Sequence, residues 1–254
     1  MAIYLVITGE RFNIAATAVF FRTTILSMVS LSVKQLEQII ADCTVLEKDG
    51  FGPKVLESTD GLIIYKLFRR KRWFSSALLR PYANRFVANA QKLEARGFST
   101  ITIRELSYCK QPPIHLVVYD KLPGVSLRDY LNSLDSQHSR VAVFTLLGEM
   151  IARLHDRGVY FRSLHLGNLL WHEGGDFPLI DIADMRFYRR GLTPGQRQRN
   201  FRPLLKRIRD HSLIESASWE VMIDHYLKKA ALSSSQKSKL QPKLTRLAAG
   251  LKPF

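Results

Sequence analysis

Two polar residues near the middle of the chain have the spacing of a metal and phosphate site. Asn168 lies in YFRSLHLGNLL at 160–170, and Asp181 follows thirteen positions later in LIDIAD at 179–184. In kinase-type phosphoryl transfer, one carboxylate and one amide oxygen hold Mg²⁺, which neutralises the triphosphate of ATP. We therefore expect Asn168 and Asp181 to be magnesium ligands in an ATP site.

The segment that ends at Asn168 follows the catalytic-loop pattern H-R-D-x-x-x-x-N with two of its letters changed. The pattern positions are occupied by Phe161, Arg162, Ser163 and Asn168. The Asp of this pattern accepts the proton of the acceptor hydroxyl, and a Ser hydroxyl cannot do so near neutral pH. Ser163 thus occupies the catalytic base position without being a base, and His165 and Asp184 are the nearby candidates to replace it.

The changed base leaves two interpretations open. General acid or base catalysis typically contributes about 10²- to 10⁴-fold, whereas phosphoryl transfer depends mostly on positioning and charge neutralisation. Loss of the base would therefore slow the reaction without excluding it. The chain is either an active kinase or a pseudokinase that binds nucleotide or partner proteins without efficient catalysis.

A small sheet is predicted upstream of these segments. A helix with Ser32 as its N-cap is followed by strand patterns at 43–47, 53–58 and 62–68. The first two strands are joined by the turn DGFG at 49–52. Three successive strands with a glycine turn are the layout of the small lobe of a kinase.

Two features of these strands are candidates for phosphate binding. Strand alternation places Lys66 on the same face as Ile64, where a charge without a role would be costly. We expect Lys66 to bind the ATP phosphates, although an edge-strand lysine would have the same pattern. The backbone N–H groups of Gly50 and Gly52 are candidate phosphate donors, and an ordinary hairpin turn is the alternative.

The rest of the chain is predicted to be mainly helical. The expected elements are helices at 82–96, 127–134, 141–157, 219–229 and 236–251, strands at 100–107 and 115–119, and a linker between lobes at 120–124. Pro194 suits the first turn of a basic helix whose apolar stripe extends to Ile208. The segment SSSQKSK at 233–239 is interpreted as a linker, and His155 near a helix end as a packing or capping residue.

The run from 32 to about 205 resembles the lipopolysaccharide kinase family of Gram-negative bacteria, especially the branch of toluene-tolerance proteins. Its most specific parts are RSLHLGNLL at 162–170 and LIDIADMRF at 179–187. The resemblance implies an ATP-dependent kinase that phosphorylates heptose or Kdo sugars of the lipid A core. It also implies a cytoplasmic location, peripheral at the inner membrane.

The fold implied by the resemblance is α+β and two-lobed, like that of protein kinases. A small antiparallel-sheet lobe is expected at 32–119, a mainly helical large lobe at 120–254, and an N-terminal extension at 1–31. In this family a helix acid pairs with the strand lysine. The only acid of the helix at 82–96 is Glu94, but Asn89 lies nearer the family position. If Asn89 holds that place, Lys66 lacks its usual partner.

The charge of the chain predicts anionic partners. Its 38 basic and 22 acidic residues give a net charge of +16, which suits phospholipid headgroups, phosphorylated glycolipid or nucleic acid. The densest cluster, RRKR at 69–72, is followed by Trp73 and Phe74 and suits an anionic membrane surface. RNA and a solvated face are the alternatives. Because no nucleic-acid-binding signature is present, the expected partners are core glycolipid, the inner-membrane surface and other envelope-synthesis proteins.

Length and the N-terminal region add little about function. A chain of 254 residues can form a two-lobed unit, and Cys43 and Cys109 have no metal or disulfide spacing, which suits a reducing cytoplasm. The apolar run at 14–21 is interrupted by Arg22 and is too short to span a bilayer. It is either an extension that lies on a surface or is disordered, or a segment upstream of a true start at Met28.

Overall fold

A computed structural model describes residues 6–7, 10–11, 27–69, 81–135, 137–172 and 175–250. The apolar run at 14–21 and the basic cluster at 69–74, except for Arg69, lie outside these residues. No helix in the described part of the chain is long and apolar enough to cross a membrane. A short hairpin, β1 Val6–Ile7 with β2 Glu10–Arg11, precedes the main body.

The main sheet has six strands among the described residues. They are β3 Val29–Leu31, β4 Thr44–Asp49, β5 Gly52–Glu57, β6 Ile63–Arg69, β7 Ile103–Cys109 and β8 Ile114–Asp120. Their spatial order is β3-β7-β8-β6-β5-β4, and all neighbours are antiparallel except β3 and β7. The predicted succession of three strands with a turn at Gly50 and Phe51 is confirmed.

The two faces of this sheet belong to different apolar clusters because side chains alternate along each strand. One face packs Leu56, Leu67 and Leu116 against Leu36 of α1, Val33–Asp42. This helix begins at a capping box formed by Ser32 and Gln35, as the sequence predicts for Ser32. The other face carries Ile64, Val117 and Tyr119 and is continuous with the large core.

The helix α2, Tyr82–Glu94, packs against the large-core face of the sheet. It buries Phe86, Ala90 and Leu93, the stripe that the sequence predicts. The chain leaves the helix through Gly97, whose φ of +66° is the left-handed conformation that glycine favours after a helix. The opposite end of this stripe contacts a 3-10 helix at Ile182–Asp184, next to the candidate magnesium ligand.

The second half of the chain is mainly helical. Its helices are α3 Leu127–Asn132, α4 Gln137–Asp156, α5 Pro194–Phe201, α6 Ser216–Lys229 and α7 Ser234–Thr245. Two small strand pairs, β9 Val125–Ser126 with β11 Leu170–Trp171 and β10 Val159–Phe161 with β12 Met185–Phe187, hold the loops between them. The sheet half and the helical half match the expected two-lobed α+β fold.

Two local predictions in the helical half are wrong. The basic helix after Pro194 ends at Phe201 and continues as 3-10 helices at Arg202–Leu205 and Ile208–Leu213, because Pro203 has no N–H to continue α-helical bonding. The segment 233–239 is not a linker. Ser233 is the N-cap of α7 and forms a capping box with Gln236, so the serine-rich stretch starts the helix.

Candidate active site

Lys66 lies on β6, which is paired with β5 on one side and β8 on the other. The residue is only 5% exposed, and its ammonium lies over the ring of Phe86 of α2 at 5.1 Å. Its Nζ donates a hydrogen bond to Oδ1 of Asp181 at 2.7 Å. A buried ammonium needs such a partner because an unpaired charge in the core is expensive.

The backbone at Asp181 has an unusual conformation. Its φ of 52° and ψ of 46° are left-handed, and no other residue except glycine has a positive φ among those described. Such a conformation costs about 1–3 kcal/mol and persists only where the surroundings enforce it, often at functional sites. It turns the chain from Ile180 into the 3-10 helix that begins at Ile182.

The charge state of Asp181 follows from its neighbours. Burial raises the pKa of the carboxyl, but the charge and hydrogen bond of Lys66 outweigh this effect, so the pKa lies below its ordinary value. The charge of Lys54 on β5 lowers the pKa further. Asp181 is therefore ionised at neutral pH, as a carboxylate that binds a metal ion must be.

Asn168 is tied by backbone hydrogen bonding to the segment that leads into Asp181. It ends a 3-10 helix, Leu166–Asn168, and is buried. Its Nδ2 donates to the carbonyl of Ser163 at 2.9 Å, and its own carbonyl accepts from the N–H of Ile180 at 3.1 Å. Because Ile180 precedes Asp181, the two proposed ligands lie on adjacent segments. The Nδ2 of Asn168 donates to Ser163, and its Oδ1 is the side-chain atom that could bind a cation.

These two residues fit the donor set of a magnesium ion bound with a nucleotide. Mg²⁺ usually takes one or two protein oxygens and completes its octahedral shell with phosphates and water. No group of three His, Cys, Asp or Glu side chains that could hold a metal by itself is found in the part of the chain that the structure describes. Asn168 and Asp181 would thus hold the ion only together with phosphate oxygens.

Ser163 and His165 lie in the loop between β10 and Asn168. Ser163 is half-buried, and its carbonyl orients the Asn168 amide. The guanidinium of Arg207 donates to Nε2 of His165 at 3.1 Å. Burial, followed by the charges of Arg207 and Arg128, lowers the pKa of His165 to about 4. The ring is therefore neutral with Nε2 as the acceptor, and the proton must reside on Nδ1.

This arrangement bears on His165 as a replacement base. Nε2, the nitrogen that could accept a proton, already accepts a hydrogen bond from Arg207, and Nδ1 is buried without a hydrogen-bond partner among the described atoms. His165 would have to release Arg207 before it could serve as a base. Asp184 is engaged as well, because the Arg85 guanidinium lies 3.4 Å from its Oδ1.

The glycine turn lies at the tip of the β4–β5 hairpin. Gly52 has a φ of +106°, and a Cβ at Gly50 would meet no atom within 4 Å, so the turn is open to solvent. The N–H of Phe51 donates to Oδ1 of Asp49 at 2.9 Å, and the Phe51 side chain is 67% exposed. The geometry is that of an ordinary hairpin turn, and the phosphate role of Gly50 and Gly52 stays a prediction.

Sequence reasoning missed two neighbours of the Lys66–Asp181 pair. Lys54 pairs with Glu47 at 2.7 Å across the hairpin, and its positive charge also lowers the pKa of Asp181. Phe86 of α2 occupies the space next to Lys66 in which a helix acid was sought. A helical stripe marks Phe86 as buried, but no local signal shows which strand residue it faces.

The helix residues considered as partners of Lys66 lie elsewhere. Glu94 is exposed at the C-terminal end of α2. Asn89 is buried, and its side chain donates to the backbone carbonyls of Ile182 and Ala183. The ion-pair partner of Lys66 is therefore Asp181, and α2 contributes no carboxylate to it.

Comparison with known families identifies the chain. Residues 63–226 match the family described as the lipopolysaccharide kinase (Kdo/WaaP) family. The match covers Lys66, Ser163, Asn168 and Asp181, and it identifies the family without identifying the branch. No curated protein sequence matches the chain significantly.

Proposed function

Because this chain belongs to the lipopolysaccharide kinase (Kdo/WaaP) family, we propose that it transfers the γ-phosphate of ATP to a sugar hydroxyl of the lipid A core. The family supports a kinase-like role in lipopolysaccharide biosynthesis. One observation carries the proposal further. The ammonium of Lys66 on β6 pairs with the carboxylate of Asp181, although 115 residues separate them, and the N–H of Ile180, just before Asp181, donates to the backbone carbonyl of Asn168.

Each of these groups has a role in the proposed reaction. Lys66 binds the phosphates, and Asn168 and Asp181 supply oxygen ligands to Mg²⁺, which neutralises charge on the triphosphate. With a triphosphate bound, Lys66 would pair with the phosphates and the Asp181 carboxylate would serve the metal ion instead of the lysine. The sugar oxygen forms a bond to the γ-phosphorus, the bond from that phosphorus to the ADP oxygen breaks, and the hydroxyl proton passes to water.

The location of the reaction is part of the proposal. The net charge of +16 supports association with an anionic surface, and an acceptor embedded in the inner membrane requires access from that surface. We place the protein in the cytoplasm, peripheral to the inner membrane. The small lobe would comprise residues 32–119 and the large lobe 120–254, with the nucleotide between them.

A second candidate function is that of a pseudokinase. It is favoured by Ser163 at the base position, together with the contacts of Arg207 to His165 and of Arg85 to Asp184. No carboxylate is available in this loop to accept the proton of the acceptor. Such a protein would bind nucleotide through Lys66 and Asp181 and would regulate or assemble other enzymes of envelope synthesis.

The two functions are separated by measuring binding and transfer on the same protein. Calorimetry with a nonhydrolysable ATP analogue, with and without Mg²⁺, measures binding, and radiolabelled ATP with purified core glycolipid measures transfer. Asp181→Ala is expected to abolish both metal-dependent binding and transfer. Asp224→Ala, which removes an exposed carboxylate of α6 paired with Lys228, is the matched control and should retain both.

The possible results lead to different conclusions. Transfer by the natural protein that disappears in Asp181→Ala supports the kinase. Binding without transfer supports the pseudokinase. If the natural protein neither binds the analogue nor transfers phosphate, both proposals are wrong.

A further inference from the structure

One face of α2 contacts the candidate active site at three points. Arg85 reaches Asp184 at 3.4 Å, the Phe86 ring lies 5.1 Å from Nζ of Lys66, and Asn89 bonds to the turn after Asp181. Arg85 precedes Asn89 by four positions and Phe86 precedes it by three, so both are neighbours of Asn89 on the helix surface. The helix α2 therefore contacts the strand lysine and the Asp181 turn together. Asn89 is the buried polar member of this face, since it is 5% exposed.

The contacts of Asn89 are specific. Its Nδ2 donates to the carbonyl of Ile182 at 2.8 Å and to that of Ala183 at 3.3 Å. Asn has a low propensity for helix interiors, and a buried amide without partners is costly. The two bonds account for a buried amide at this position. They also hold the carbonyl groups of the two residues that directly follow Asp181.

These bonds restrain a conformation that the chain does not favour by itself. Asp181 has a left-handed backbone, and its carboxylate must stay next to Asn168 to share a metal ion with it. Fixing the carbonyls of Ile182 and Ala183 limits the rotation of the turn that carries Asp181. Resting on the function proposed above, we propose that Asn89 is a positioning residue that holds the Asp181 carboxylate in its metal-binding orientation.

The proposal assigns α2 a link to the site that differs from an ion pair with Lys66. The only acid of α2, Glu94, is exposed at the far end of the helix, and an aromatic ring, that of Phe86, lies beside the lysine ammonium. The helix therefore cannot orient Lys66 by charge. It orients the metal-ligand turn through the Asn89 amide. A displacement of α2 should therefore affect metal binding more than it affects the contact of Lys66 with phosphate.

A purely structural role for Asn89 makes a different prediction. If the amide only docks α2 onto the turn, its loss lowers stability and weakens nucleotide binding by the same factor with and without metal. If it positions Asp181, its loss weakens the metal-dependent part of binding, whereas binding of the metal-free nucleotide through Lys66 is kept. Comparing the two conditions separates the roles.

The test uses the full chain and a nonhydrolysable ATP analogue. Asn89→Leu keeps the branched shape of the side chain, adds some bulk and removes the donor, and Asn89→Ala is the second variant in case the first does not fold. Asn84→Leu changes an exposed Asn of the same helix and is the matched control. Calorimetry measures analogue affinity in EDTA and over a Mg²⁺ series, and thermal melting checks that each variant is folded.

Loss of a residue that orients a metal ligand typically weakens metal affinity by about 10- to 100-fold. We expect the Mg²⁺ concentration for half-maximal enhancement of analogue binding to rise by this factor in both Asn89 variants. Saturating Mg²⁺ should restore the affinity, and affinity in EDTA should equal that of the natural protein and of Asn84→Leu.

Equal losses with and without Mg²⁺, or no change in the Mg²⁺ requirement, would overturn the positioning role while leaving the proposed function intact. Failure of the natural protein to bind the analogue in any condition would overturn both. Enhancement by Mg²⁺ in the natural protein shows that the premise holds, so the two failures are distinguishable.

Discussion

Ser163 is the residue on which the choice between kinase and pseudokinase depends. It lies in the loop that also carries Asn168, and its carbonyl already orients the amide of that residue. The loop backbone thus orients the proposed metal ligand, whereas the side chain at the base position lacks a carboxylate. Replacement of one side chain should therefore restore a base without rebuilding the loop.

We predict that Ser163→Asp increases phosphate transfer to core glycolipid. A positioned base contributes about 10²- to 10⁴-fold to such reactions, and a gain of this order is expected in initial rates at saturating Mg-ATP. Ser163→Asn has a similar shape but cannot accept the proton, so it is the control and should remain at the level of the natural protein. Equal rates for Asp and Asn would show that no base is needed at this position.

Two buried histidines couple stability to pH. His155, between Tyr226 and Asn200, has its pKa lowered to about 3 by burial and by the nearby charge of Arg197. It packs in the core, as the sequence analysis expects. His165 has its pKa lowered to about 4 by burial and by Arg207 and Arg128. Both rings are neutral in the folded chain at neutral pH.

We predict that the free energy of unfolding falls as the pH is lowered from 6.5 towards 4. Below the ordinary histidine pKa of 6.5, the unfolded chain binds protons that the folded chain excludes, so acid favours unfolding. The Lys66–Asp181 pair adds to this loss of unfolding free energy only as the pH falls below the ordinary Asp pKa of 3.8. Urea denaturation at several pH values measures the slope.

The contribution of His165 can be separated from that of the other histidines. His165→Gln should have a shallower pH dependence, whereas His172→Gln, at an exposed position, should retain the full slope. An unchanged slope in His165→Gln would show that this ring does not exclude protons when the chain is folded.

At the scale of elements, the helical half depends on close packing of α4 and α6. Gly148 of α4 lies so near α6 that a Cβ there would come 2.3 Å from the carbonyl oxygen of Met222. Tyr226, one turn further along α6, bonds both His155 of α4 and Arg197 of α5. Asn200 of α5 in turn bonds the N–H of Phe161 on β10 at 3.0 Å. The strand that leads into the catalytic loop is thus supported by three helices.

We predict that Gly148→Ala destabilises the protein although Ala is the better helix former. Overpacking of a close contact typically costs about 1–3 kcal/mol, because α4 and α6 must separate. Gly195→Ala in α5 is the control, since the nearest atom to its Cβ would be 3.9 Å away, and it should be neutral or gain up to about 1 kcal/mol. Urea denaturation midpoints compare them. A Gly148→Ala protein as stable as the control would contradict the packing.

At the scale of the whole molecule, the excess of positive charge is the feature that points beyond nucleotide binding. A charge of +16 attracts anionic surfaces through long-range forces that salt screens within about 10 Å at 0.1 M ionic strength. A surface contact of this kind does not require Lys66, which is buried and paired with Asp181.

We predict that the protein binds vesicles of phosphatidylcholine with phosphatidylglycerol, and that binding falls steeply as salt increases. Each basic residue near such a surface contributes about 1 kcal/mol. Pure phosphatidylcholine vesicles are the lipid control, and Lys66→Ala should bind as the natural protein does in co-sedimentation. Tight, salt-steep binding to RNA that displaces the vesicles would instead favour a nucleic-acid partner.

The sequence by itself determined the features that depend on local spacing. The sequence predicted the succession of β4, β5 and β6, the caps at Ser32 and Gly97, and the loop that ends at Asn168. These features depend on strand and helix periods, capping residues and motif spacing. Each of these acts over a few residues, so it can be recognised in the sequence without a structure. The same local signals failed after Phe201, where helical periodicity predicted a longer α-helix but Pro203 ends the α-helical hydrogen bonding.

Only the tertiary structure decided which side chains meet. Asp181 pairs with Lys66, Arg207 occupies Nε2 of His165, and Asn89 bonds to the turn at Ile182. These partners are 115, 42 and 93 residues apart, respectively. Contacts over such separations depend on how the sheet, α2 and the catalytic loop pack, and no pattern within a single segment encodes that packing.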